Sequence, residues 1–319
     1  MSSPIPAYPA TKAPAPKFTR NQLNVYRTVA DMSRVTDALR SVGRTVALVP
    51  TMGALHAGHR ELLRRAKRLP NTVVAASIFV NPLQFGEGED FEAYPRRLEA
   101  DLEVLADAGV ELAFTPSAAD LYPQDRIVSV GPGPLGDELE GSSRPGHFAG
   151  VLTVVSKLFN IVGPHYAFFG EKDFQQLVLI RRMARDLNFR TRVVGVPTVR
   201  ERDGLALSSR NVYLSAEQRE QAVVLSAALT AGAHMGARGR SAVLDAANST
   251  LRARPEVEVD YLELRGTELG PAPVDGEARL LIAARVGNTR LIDNVPVLLG
   301  SSAGHGVEQD EGSTEDAGV

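Results

Sequence analysis

The sequence predicts the α/β class: a doubly wound parallel sheet followed by a smaller C-terminal α+β domain. Three observations carry this. Apolar runs of strand length alternate with helix-length segments from Thr45 to Val196, and such runs suit strands buried on both faces of a parallel sheet. Within Val49 to Glu61 one of these runs enters a helix through Gly53 and Gly58, with His56 and His59 at the helix start. Beyond Pro197 the pattern changes to helices followed by strands, the order expected of an α+β unit.

Each element follows from local signals. Residues 1–22 carry Pro4, Pro6, Pro9, Pro14 and Pro16 with little to bury, and read as a flexible arm. Thr45 to Val49 and Thr72 to Val80 read as strands flanking the helix that starts near His56. A polar loop, Asn81 to Asp90, leads to a helix from about Pro95 to Ala108, with Pro95 in its first turn. Glu111 to Thr115 is a third strand, ended by Pro116. A helix over His147 to Val162 stops at Gly163-Pro164. Tyr166 to Phe169 then reads as a strand, Asp173 to Leu187 as a helix with Asp173 and Gln176 as an N-cap pair, and Arg192 to Val196 as a strand.

In the second part, Ser215 with Gln218 forms a capping-box pattern before an alanine-rich helix, and Ser241 to Arg252 suits a second helix. Val257 to Leu264, Ala278 to Ala284 and Thr289 to Leu298 read as antiparallel strands. The expected division is an arm at 1–22, a nucleotide-binding domain at 23–198, a smaller domain at 199–299 and a disordered acidic tail at 300–319.

Bulk properties narrow the function classes. The chain has 319 residues, 44% hydrophobic and 23% charged, which allows about two domains and a sizeable core. A net charge of −3 supplies no broad field for a long nucleic acid. Cysteine is absent, so neither disulfides nor thiol catalysis contribute. The first 17 residues lack the continuous apolar core of a signal peptide, and no stretch reaches the ~18 apolar residues of a membrane span. A cytosolic protein without membrane or nucleic-acid partners is expected.

The His-x-Gly-His turn suggests nucleotide chemistry. Glycines let backbone approach phosphate oxygens, and a helix start offers unpaired N–H groups and a partial positive charge. A strand-glycine-helix junction also occurs in α/β proteins with no such site. A catalytic zinc fits poorly, because it needs about three protein ligands and the remaining histidines are scattered.

Three further clusters join the turn. Asn81 and Gln84, among Phe79, Pro82 and Phe85, suit a small hydroxylated, partly apolar substrate, although a strand-ending turn has the same residues. Lys172, in Phe168 to Gln176, stands at a helix start where a cation opposes the dipole unless an anion is nearby. Ser208, Ser209 and Arg210 offer hydroxyl and guanidinium donors for polyphosphate, in what would otherwise be an ordinary polar loop.

The segments Val49 to His59, Ser77 to Phe85, Arg144 to Val151, Phe168 to Gln176 and Ser208 to Asn211 together resemble the motifs of the pantoate-β-alanine ligase family, in the family's order over about Leu23 to Leu299. The first motif alone would indicate only the wider class of His-x-Gly-His nucleotidyltransferases and class I aminoacyl-tRNA synthetases. The resemblance implies a Rossmann-like domain, a smaller domain closing over ATP, and a homodimer. It implies condensation of (R)-pantoate with β-alanine through a pantoyl adenylate, releasing pyrophosphate and then AMP. The alternative is a nucleotidyltransferase acting on a phosphorylated small-molecule acceptor.

Residue roles carried over by the resemblance are as follows. His56, His59, Lys172, Ser208, Ser209 and Arg210 would face the phosphates and act in catalysis. Pro50, Thr51, Met52, Gly53, Phe169, Gly170, Asp173, Val199 and Leu207 would complete the ATP site. Gln84 and Gln176, with Met52, Asn81, Tyr94 and Arg144, would hold substrate, and Asp101 would attend the Mg2+ that accompanies ATP. Leu207 stands where the family usually has methionine and Ala57 where glutamate is frequent; neither change removes a proposed polar catalytic group.

Overall fold

The computed structural model describes residues 16–122 and 128–300. Most of the expected N-terminal arm, residues 1–15, and the acidic tail, residues 301–319, lie outside the described residues. Residues 16–22 lie against the sheet, where the Lys17 carbonyl accepts a hydrogen bond from the Tyr26 hydroxyl at 2.6 Å and Phe18 packs onto the core.

The first part of the chain runs β1 (Asn24–Tyr26), α1 (Val29–Ser41), β2 (Thr45–Thr51), α2 (Ala57–Lys67), β3 (Thr72–Ile78), α3 (Leu98–Asp107), β4 (Leu112–Phe114) and α4 (Ala118–Leu121). It continues through α5 (Glu140–Ser143), α6 (His147–Val162), β5 (Tyr166–Gly170), α7 (Phe174–Asp186) and β6 (Arg192–Val196). All the strands pair in parallel, in the order β1-β4-β3-β2-β5-β6.

Alternation along the strands builds a core on each face. Val46 and Leu48 of β2 join α1, α6 and α7 through Met32, Leu158 and Ile180. Ala47 and Val49 point the other way, to Leu62, Leu63 and Leu105 of α2 and α3. This is the doubly wound arrangement the apolar runs predict. Among the described residues, no helix is long and apolar enough to cross a membrane.

Some local expectations need correction. β1 and α1 were not anticipated; β1 has three residues, too few for a period-two signal, although Thr28 caps α1 by accepting from the Asp31 amide at 3.1 Å. Helix α3 starts at Leu98, so Pro95 lies ahead of its first turn. Asp173 makes no capping bond: a 3-10 turn, Glu171–Asp173, runs directly into α7, and ψ of 63° departs from the extended backbone that lets a cap reach back.

The second part has α8 (Ala216–His234), α9 (Arg240–Leu251) and an antiparallel sheet of β7 (Val257–Gly266), β8 (Gly276–Val286) and β9 (Thr289–Leu299). The Ser215–Gln218 capping box forms as read, with reciprocal bonds of 3.1 and 3.0 Å. A separate apolar core joins α8 and α9 to this sheet. Leu281 and Tyr261 instead contact the core of the parallel sheet.

Strand order positions the site. β2 sits between β3 and β5, so connections leave it toward opposite sides of the sheet. The crevice at the carboxyl ends of β2 and β5 is the topological switch point, where doubly wound sheets bind ligands.

Candidate active site

The loop after β2 enters that crevice. Gly53 turns it with φ of 85°, and a Cβ there would stand 2.8 Å from Asp101 and 3.2 Å from Ile78. Asp101, 3% exposed, accepts the amides of Ala54 and Leu55 at 2.9 and 2.7 Å. Each carboxylate oxygen thus holds one N–H of the loop.

In this structure the Asp101 carboxylate, expected to attend Mg2+, serves the backbone of the loop. Its oxygens face backbone donors from a buried position, and it does not line the cleft. Among the described residues no group of three or more His, Asp or Glu residues is placed to hold a metal. Asp101 therefore anchors the loop. Asp101→Ala is expected to lower the melting temperature and the activity together while leaving the Mg2+ concentration for half-maximal rate unchanged. A selective rise in that concentration would assign Asp101 to the metal instead.

His56 caps α2: its Nδ1 accepts the Gly58 amide at 3.1 Å, while Nδ1 of His59 accepts the His56 amide at 3.2 Å. The rings lie 4.2 Å apart. Gly58 makes room, since a Cβ there would come within 2.8 Å of the His56 ring. An Nδ1 that accepts a backbone N–H is unprotonated, which leaves the proton of each neutral imidazole on Nε2. Burial lowers the pKa of His56, helped by the nearby Lys172 ammonium; burial and His56 lower that of His59 to about 3. Both rings are therefore neutral N–H donors at pH 7.

From β5, the 3-10 turn presents Lys172. Its ammonium is 3.9 Å from Asp173 Oδ1, and its side chain retains 19% exposure. No hydrogen bond to another described side chain holds the ammonium, so an incoming anion meets an available cation.

The substrate side is built on the turn after β3. Asn81, 1% exposed, donates to Gln84 Oε1 and the Gly150 carbonyl and accepts from Tyr122 and the Leu83 amide. Every hydrogen-bonding position of its amide is used. Asn81, expected to hold substrate, thus orients Gln84 in this structure. Gln84 Nε2 meets Met52 Sδ at 3.1 Å, and a thioether is a weak acceptor readily exchanged for an oxygen. Gly150 allows α6 this close, because a Cβ would fall 2.0 Å from the Leu83 carbonyl.

Arginines close the cleft in pairs with acids. Arg144 binds Glu89, with Nε 2.7 Å from Oε1, and Arg210 binds Asp90 at 2.9 and 3.2 Å. Burial opposes ionisation of both acids, but the arginines outweigh it and hold the carboxyls below their ordinary range. A phosphate reaching Arg210 must share or replace Asp90. Ser208 caps its own 3-10 turn, and Ser209 Oγ lies 3.5 Å from the Tyr94 hydroxyl.

Together these residues border a cleft of about 260 Å³. Pro50, Thr51, Met52, His56, His59, Asn81, Gln84, Tyr94, Arg144, Phe169, Gly170, Lys172, Asp173, Gln176, Val199, Leu207, Ser208, Ser209 and Arg210 all line it. Of the expected site residues only Gly53 and Asp101 do not. A larger cavity of about 820 Å³ shares Arg144, His147, Lys172, Asp173, Gln176, Ser208 and Arg210.

Motif-based reading missed several lining groups. Ser77 Oγ and Thr198 Oγ1 are buried without a hydrogen-bond partner among the described residues; a hydroxyl near the end of an otherwise apolar strand was the available signal for Ser77. His147 was also missed: its Nε2 accepts from Arg144 at 3.1 Å and its Nδ1 donates to the Gln84 carbonyl at 2.7 Å. Burial, then Arg144, lower its pKa to about 4.

These histidines couple stability to pH. Their folded pKa values of about 3 for His59 and about 4 for His147 lie below the ordinary 6.5, so on acidification the unfolded chain takes up protons first. Their contribution is intact above pH 6.5 and is lost as pH falls toward 4, by up to about 1.4 kcal/mol per pH unit for each titrating group. Urea unfolding across that window checks it; a flat profile would contradict the buried neutral assignment.

A family model described as pantoate-beta-alanine ligase matches residues 24–296. The chain belongs to the pantoate-β-alanine ligase family. It is 63% identical over 289 residues to the pantothenate synthetase of Mycolicibacterium smegmatis, covering 91% of this chain and 92% of that protein. It is 64% identical over 284 residues to that of Nocardia farcinica, covering 89% of each. The crystal structure of the Thermus thermophilus pantothenate synthetase superposes with a TM-score of 0.78 at 48% identity, over 85% of this chain and 98% of that one. A pantoate-β-alanine ligase from Francisella tularensis, solved with a β,γ-ATP compound and β-alanine, gives 0.71 at 34% identity, over 86% and 97%.

Proposed function

We propose that the cleft condenses (R)-pantoate with β-alanine in two steps, with its lining residues in distinct roles. The observation that carries this is the meeting of two neutral imidazole donors, the available Lys172 ammonium and the Gln84–Gln176 amides in one cleft. Pantoate carboxylate attacks the α-phosphorus of ATP, forming the acyl phosphate bond and expelling pyrophosphate. The amine of β-alanine then attacks the acyl carbon, forms the amide and expels AMP.

In this scheme His56 and His59 donate Nε2–H to phosphate oxygens, and Lys172 bridges phosphate and pantoate oxygens. Charge developing on the leaving pyrophosphate meets donors already in place. Gln84 and Gln176 hold pantoate beside Pro50 and Met52. Tyr94 and Arg144 border the same substrate, while Gly170, Asp173, Phe169, Val199 and Leu207 surround the nucleoside. Ser208, Ser209 and Arg210 close on the phosphates as residues 199–299 move as a lid over residues 23–198. Water exclusion then protects the acyl adenylate. The larger cavity gives β-alanine an approach that does not cross the nucleotide.

A carboxylate is already nucleophilic near pH 7, so adenylation needs no general base. Magnesium enters the proposal only as the partner of the ATP phosphates, and no step is assigned to a protein-held ion. A homodimer is carried over from the family resemblance, and a cytosolic location from the composition of the chain. Pantoate-dependent ATP/pyrophosphate exchange, followed by AMP release on adding β-alanine, tests the function. Exchange with a different acid, or transfer of the nucleotide to a phosphorylated acceptor, would overturn it.

A further inference from the structure

Among the described residues, Lys172 has no side-chain partner strong enough to aim it. Among those residues its ammonium has the 3.9 Å approach to Asp173. Its direction therefore depends on the backbone of the 3-10 turn, and that backbone is gripped from the other sheet. Asn294 of β9, 3% exposed, donates from Nδ2 to the carbonyls of Glu171 at 3.0 Å and Lys172 at 2.8 Å.

The amide of Asn294 is itself fixed. Its Oδ1 accepts from Arg279 Nε at 2.6 Å, which decides which end of the amide faces the turn. Arg279 also binds the Glu171 carboxylate at 3.0 Å and stacks over Phe174, 4.2 Å from the ring centre. The neighbouring Asp293 holds Arg200, in the linker after β6, through bonds of 2.6 and 2.9 Å. Thus a buried polar network of the C-terminal sheet grips the two peptide carbonyls that flank the Lys172 Cα, from which the side chain departs.

We infer that Asn294 is a positioning residue for Lys172: oriented by Arg279, it fixes the turn from which the ammonium reaches the phosphates. The inference rests on the phosphate role proposed for Lys172. It makes the C-terminal sheet part of the adenylation machinery as well as a cover for it. A loss of alignment of about 1 Å can cost on the order of 10²-fold in rate, so an anchor far from the reacting atoms has a measurable effect. The rival reading is that Asn294 merely joins the two sheets and contributes stability alone.

The experiment compares Asn294→Ala, Lys172→Ala and the double variant by pantoate-dependent ATP/pyrophosphate exchange and by melting temperature. Asn294→Ala should lower the exchange kcat by roughly tenfold or more, with a much smaller change in KM for pantoate. Added to Lys172→Ala it should lower the rate no further, because residues acting through one group are not additive. If Asn294→Ala does not fold, Asn294→Ser, which keeps one donor, should show the same non-additivity. Parent-like exchange by Asn294→Ala beside a slow Lys172→Ala would overturn the inference alone. Equal losses in both backgrounds would also overturn it, in favour of a structural joint. Parent-like exchange by Lys172→Ala would remove the role of Lys172 and the inference with it.

Discussion

Lys172→Ala is expected to slow pantoyl adenylate formation by on the order of 10²–10³-fold, the cost of removing one preorganised donor from a developing anion. The loss should fall on kcat of ATP/pyrophosphate exchange more than on KM for pantoate, since charge on the leaving pyrophosphate grows toward the transition state. The fold should survive. The ammonium contributes only a 3.9 Å approach to Asp173, and such loose pairs near the surface add little stability. Lys172→Arg should not restore the rate, because a planar fork replaces a compact point charge. Near-parent exchange in Lys172→Ala would sink the phosphate role.

His56→Ala should lower the same rate by about 10²-fold, and here a second effect must be separated. His56 is also the N-cap of α2, so removing its ring costs about 1 kcal/mol of helix stability in addition to the Nε2–H donor. His56→Asn separates the two. Asparagine is a strong N-cap former but too short to carry a donor where the imidazole Nε2 lies. It should recover most of the melting temperature and little of the exchange rate. Recovery of both would mean that the histidine serves the helix and not the phosphates.

The polarity of that donor follows from structure. Histidine near a triphosphate invites the assumption of an imidazolium, yet the Nδ1 atoms of His56 and His59 both accept backbone amides, and burial lowers both pKa values. The site keeps its fixed positive charge on Lys172 and offers neutral donors beside it. Two imidazolium ions 4.2 Å apart would repel each other before any phosphate arrived.

What was legible reflects how local each signal is. The Ser215–Gln218 cap and the glycine stop after Val162 depend on a few neighbouring residues, and both form as read. The Asp173–Gln176 cap failed because the preceding turn left no helix break for a side chain to span. Asp101 and Asn81 have protein partners that the motifs did not reveal, for a shared reason. A polar residue near a motif looks available for ligand, whereas burial commits each to backbone or side-chain partners distant in sequence. The carboxylate pairing of Arg144 and Arg210 likewise requires Glu89 and Asp90 to fold back across the cleft.

The sequence by itself determined the elements and their chemistry: apolar strands, a glycine turn that lets the His56 ring fold onto its own helix, and the clusters that identify the family. Only the tertiary structure decided that β2 and β5 are neighbours, which places the His-x-Gly-His turn beside Lys172 across more than a hundred residues of chain. Periodicity states which face of a strand is apolar, and both faces are apolar in a doubly wound sheet, so strand order is set by helix packing and crossover handedness. The same packing brings Asn294 from the last strand to the turn that carries Lys172.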